Sequence, residues 1–137
     1  MHNLMGHAGL ILISLAIIGC SARPQAAAPP APQIRPRSSA TLAIVWPEPG
    51  ATISGTTLHV RLRLEGAQIT PQVSTHLRPD RGHVHLLVDG RVVSMAYGLE
   101  QDIAVVKGPH LLTAEFVAQD HFPFNPRVIR SVTFTVR

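Results

Sequence analysis

With 137 residues, 45% of them hydrophobic and 15% charged, the chain holds one ordinary domain with short appendages, which excludes an enzyme with a large second domain. Its formal net charge is +4, yet the twelve Lys and Arg residues are scattered and not clustered among aromatics, which argues against a nucleic-acid partner. A single cysteine rules out an intrachain disulfide and a CxxC pair, while twelve prolines and ten glycines favour short strands and turns over long helices.

Residues 1–20, MHNLMGHAGLILISLAIIGC, read as an export signal. The apolar run from Ala8 to Ile18 has the length of a signal-peptide core, about 7 to 15 residues, and falls short of the roughly 20 needed to span a bilayer. It ends in Ile17-Ile18-Gly19-Cys20, which resembles the lipobox of bacterial lipoproteins. The resemblance implies a signal peptide over 1–19, cleavage after Gly19 and lipid on the Cys20 thiol. The chain would then be anchored through Cys20 to the cell membrane or outer membrane, facing the periplasm or cell exterior. The amino-terminal region departs from the pattern, carrying His2 and His7 but no Lys or Arg, and a plain secretory signal is the alternative.

Residues 20–40 are dominated by Ala and Pro and cannot bury enough apolar surface to offset their ordering entropy, so they read as a tether. The folded part is expected over 41–137. TLAIVW from Thr41 is a first strand, and PEPGATISG after it a turn-rich connection. In LHVRLRLEG, Leu58, Val60, Leu62 and Leu64 alternate with His59, Arg61 and Arg63, the period of a half-buried strand. GHVHLLVDGRVVSMAY, Gly82 to Tyr97, carries Asp89-Gly90 between two apolar runs, the signal of a two-residue hairpin. DIAVV, HLLTAEFVA and VIRSVTFTV supply three more strands. Seven short strands at this spacing predict an all-β fold, an immunoglobulin-like β-sandwich of antiparallel strands.

In that fold the long loop Gly66–Arg81 and the loop Gln119–Arg127, QDHFPFNPR, share one pole. His76, His83 and His121 would then lie near one another, with His85 one step further along the outer face toward Glu115 or Val117. His110 belongs to the opposite pole. Two imidazoles at i and i+2 on a strand lie close enough to converge on one ion at about 2.0 to 2.1 Å, and His121, His76 or Glu115 could complete a site for copper or zinc. The alternative is that His83 and His85 are ordinary solvent-facing strand residues. Phe122, Phe124, Asn125 and Arg127, on a proline-stiffened loop, form a candidate surface for a protein or glycan partner, unless the two Phe rings fold back to cap the sandwich.

GHVHLLVDG, followed by GPHLLTAEFVAQDHFPFNP and a final VTFTV, resembles small exported bacterial domains of uncharacterised function that pair a Gly-His-x-His strand with a Gly-x-His turn. The matching residues are Gly82, His83, His85, Asp89, Gly90, Gly108, His110, Asp120, His121 and Pro123. The resemblance implies an immunoglobulin-like sandwich and brings no catalytic residues. The His-Val-His of copper-zinc superoxide dismutases is a poorer match, because this chain lacks their second cysteine and their zinc loop. No Gly-x-Ser-x-Gly elbow or phosphate-binding glycine loop is present. The expectation is a non-catalytic binding or accessory module on a lipid anchor, with a metal-binding lipoprotein as the alternative.

Overall fold

The computed structural model describes residues 34–137, which form nine strands and no helix. The signal segment, Cys20 and most of the Pro/Ala-rich stretch lie outside the described residues. A three-stranded sheet has the order β1 (Thr41–Trp46), β3 (Thr57–Glu65), β7 (Glu100–Ala104). The larger sheet runs β2 (Ala51–Ile53), β9 (Pro123–Val136), β8 (Gly108–Ala118), β5 (Arg81–Val88), with β4 (Gln68–Ile69) and β6 (Arg91–Ser94) both on the outer edge of β5.

Alternation decides which side of each strand faces the other sheet. Leu58, Val60 and Leu62 of β3 meet Val84 and Leu86 of β5 and Leu112, Ala114, Phe116 and Ala118 of β8 in one buried cluster, joined by Phe134 and Val136. Each fully buried Leu, Val or Phe stabilises the fold by about 1.5 to 3 kcal/mol before entropy is counted. Since Val84 and Leu86 must point into this core, His83 and His85 must point away from it. The hairpin between β5 and β6 forms at Asp89-Gly90, with φ of 51° and 81° at the two residues, as a type I′ turn requires.

Two short strands lie within the connections. β2 pairs in parallel with β9 within the connection after Trp46, and β4 pairs in parallel with the start of β5 within the long loop. Residues 34–40 differ from the tether expected up to residue 40, because they lie against the domain. The Asn125 amide donates to the Pro36 carbonyl at 3.1 Å, and the Ser39 amide donates to the Pro79 carbonyl at 3.1 Å. A proline-rich stretch lacks partners within itself, but its carbonyls remain good acceptors for a neighbouring strand end.

Gly82 sets the spacing at the head of β5. A Cβ there would come 1.9 Å from the carbonyl oxygen of Val117 on β8, so only glycine allows the two backbones to approach this closely. The close approach brings the first histidine of β5 beside the turn that follows β8.

Candidate metal centre

β8 and β9 are joined by four residues, Gln119 to Phe122, and not by the nine-residue loop expected from the prolines. The turn is closed by the His121 amide donating to Ala118 and the Ala118 amide donating to Phe122, each at 3.0 Å. Asp120 adds a side-chain bond, accepting the Phe122 amide at 3.2 Å. His121 sits within this turn at φ 66°, a left-handed conformation uncommon outside glycine, in which asparagine, aspartate and histidine are the most frequent other residues. The turn therefore aims one imidazole back over β5.

Three imidazoles converge there. His83 Nε2 lies 3.0 Å from His85 Nε2 and 3.1 Å from His121 Nδ1, and all three ligand atoms lie within 4.8 Å of one another. His83 is the deepest, 1% exposed, with the ring of Tyr97 edge-on at 5.2 Å and that of His121 at 4.4 Å. Burial lowers the His83 pKa to about 4, helped by the neighbouring His85 and His121 rings. Burial and His121 also lower that of His85, against an opposing pull from Glu115. Both rings are thus held neutral, as metal ligation needs.

The nitrogens do not satisfy one another well. A neutral ring nitrogen offers either one N–H or one lone pair, so His83 Nε2 has to share a single function between two neighbours. A cation would meet three lone pairs in the same space. The separations of 3.0 and 3.1 Å let His83 share one ion with either neighbour at about 2.0 to 2.1 Å per bond. Tetrahedral zinc would need separations of about 3.4 Å, a few tenths of an ångström more. The donor set fits either ion, and three protein nitrogens leave a further coordination position open.

The other predicted residues are elsewhere or otherwise engaged. His76 does not join the cluster of convergent ligand atoms; it lies in the loop after β4, where its amide is bonded to Ser74. Glu115 sits opposite His85 in the β5–β8 register, but both its oxygens accept from Arg127, each at 2.6 Å, so it acts as a paired anion beside His85 and not as a ligand. Arg127 is correspondingly a strand residue committed to Glu115. Phe124 is 2% exposed and stacks on Phe116 in the core, so it offers no recognition surface. Phe122 and Asn125 remain exposed. His110 lies at the far end of β8, bonded to Asp89.

Two residues of the site were not expected. Tyr97, after β6, covers His83. Arg35, two residues into the described chain, donates to the turn that holds His121. Being the chain's sole tyrosine was the only hint Tyr97 offered, and Arg35 offered none, because its partners are more than eighty residues away.

Among solved structures, the fibronectin(III)-like modules of Clostridium thermocellum CbhA superpose with a TM-score of 0.53 at 17% identity, over 73% of this chain and 47% of that one. The domain shares the β-sandwich fold of those modules. An engineered protein is also similar, with a TM-score of 0.48 at 16% identity over 72% of this chain and 20% of that one. This chain spans about half the length of the Clostridium chain, and the likeness concerns the fold alone. No protein-family model matches the sequence, and no curated protein matches it.

Proposed function

We propose that this chain is a non-catalytic metal-binding module, exported and lipid-anchored at Cys20, in which His83, His85 and His121 hold one copper or zinc ion. The observation that carries the reading is the convergence of three imidazole nitrogens, two from β5 and one from the β8–β9 turn, on a common centre. Imidazole is the preferred donor for both metals, and the neutral state of His83 and His85 leaves their lone pairs free near neutral pH. Glu115, already neutralised by Arg127, adds no net charge beside the ligands. The anchor rests on the Ile17-Ile18-Gly19-Cys20 pattern, and the Ala/Pro stretch after it would let the domain work away from the bilayer surface.

With Phe124 buried in the core and the exposed Arg127 guanidinium bound to Glu115, the loop surface expected to receive a protein or glycan is reduced to Phe122 and Asn125, which favours the metal over that partner. The test is titration of the full-length chain in detergent with copper(II) and with zinc, beside a His83→Ala/His85→Ala variant. One equivalent of one metal should bind the native chain and fail to bind the variant. Absent binding, or binding equal in both proteins, would retire the centre.

A further inference from the structure

We propose that Arg35 is a positioning residue of the metal centre, a clamp that fixes the turn presenting His121 and makes the segment before β1 part of the site. The inference rests on the metal reading above and extends it to a residue that touches no metal.

One guanidinium makes four hydrogen bonds to the same turn. Arg35 donates to the two carboxylate oxygens of Asp120 at 2.5 and 2.9 Å, to the Phe122 carbonyl at 2.8 Å and to the Pro123 carbonyl at 2.8 Å. Asp120 immediately precedes His121 in sequence, and Phe122 and Pro123 follow it. The clamp thus takes up groups on either side of the residue that must hold φ 66° to aim its ring at His83. Both charged side chains are mostly withdrawn from solvent, at 19% and 15% exposure, where a bidentate pair is stronger than at an open surface. The Arg35 guanidinium also lies 5.9 Å over the Phe122 ring, a further contact with the same turn.

The two halves of the centre are built differently, and this gives the clamp its purpose. His83 and His85 are set by β5, whose register with β8 is continuous from Gly82 to Val88. His121 sits on a four-residue turn that no strand pairing holds. A ligand on such a turn needs outside support to stay within a few tenths of an ångström of its partners, and loss of a supporting contact typically weakens a metal site about 10 to 100-fold. Lysine could keep the charge but not the planar fork, so it cannot replace the arginine fully.

The experiment is a double-mutant cycle on the full-length chain in detergent, with copper(II) affinity read by competition against a chelator of known strength. Arg35→Ala should weaken binding about tenfold or more, and Arg35→Lys should fall between it and the native chain. In a His121→Ala background the same Arg35→Ala change should have no further effect, since the ligand it positions is gone. Native affinity in both Arg35 variants would overturn the inference, as would an equal loss with and without His121, which marks general loosening. Should Arg35→Ala fail to fold, Arg35→Lys is judged by the same two criteria. A native chain that binds no copper or zinc would instead bring down the metal reading itself, and the clamp with it.

Discussion

His110 has no free ring nitrogen. Its Nδ1 lies 2.7 Å from an Asp89 carboxylate oxygen and its Nε2 lies 2.8 Å from the Val106 carbonyl, and two acceptors can be satisfied together only by the protonated ring. The Asp89 bond, and then the Val106 bond, raise the His110 pKa above its ordinary value. The sign of the linkage follows. A raised folded value means that the contribution is fully present below about pH 6.5 and is lost as pH climbs through the folded pKa. With metal removed by chelator, the thermal midpoint should therefore fall as pH climbs above about 6.5, and a His110→Ala variant should lose that slope. His83 and His85 are lowered, so their linkage has the opposite sign: it raises stability as pH climbs to about 6.5 and is flat above that. Parallel curves for the two proteins would show that the pair carries no linkage. At this scale the sequence made His83, His85 and His121 legible, because a strand's period puts i and i+2 together. Tyr97 and Arg35 were not, because their partners are set by the folded chain.

β9 shows why whole elements were only partly legible. Pro123 and Pro126 in QDHFPFNPR read as a stiff loop, since proline interrupts a sheet's hydrogen bonding, yet β9 begins at Pro123. Proline is tolerated at a strand's first residue or at a bulge, and Pro123 is both, pairing with Val117 just past a register shift. The consequence is that Phe122 and Phe124, two residues apart and chemically alike, have opposite fates. Phe124 stacks on Phe116 with ring centroids 5.4 Å apart, while Phe122 is 64% exposed. Replacing Phe124 by Ala should cost about 3 to 5 kcal/mol in denaturant unfolding, and Phe122→Ala within about 0.5 kcal/mol. Equal losses at the two positions would contradict this division. β2 and β4 carry little sequence signal for a different reason. They are short edge strands, three and two residues long, too brief for any period to show.

For the molecule as a whole, the sandwich was readable from seven alternating runs and their turns, but the centre depends on how distant parts of one sheet meet. A bound ion would tie β5 to the turn between β8 and β9, contacts that exist only in the folded chain. Any ligand that binds the folded state alone stabilises it in proportion to its saturation, by about 2.7 kcal/mol at a hundred times the dissociation constant. In a domain of about 100 residues each kcal/mol moves the thermal midpoint by roughly 4 °C or more, so saturating copper or zinc should raise it by roughly 10 °C. The His83→Ala/His85→Ala variant should show no such rise, because one imidazole on a turn cannot hold the ion alone. His76 and His59, which lie outside the cluster, provide the control. Replacing both with Ala should leave the metal-dependent rise intact. A rise that survives the β5 variant but disappears with His76 and His59 would mean that the ion binds at the surface and that the three converging imidazoles serve only to pack the turn.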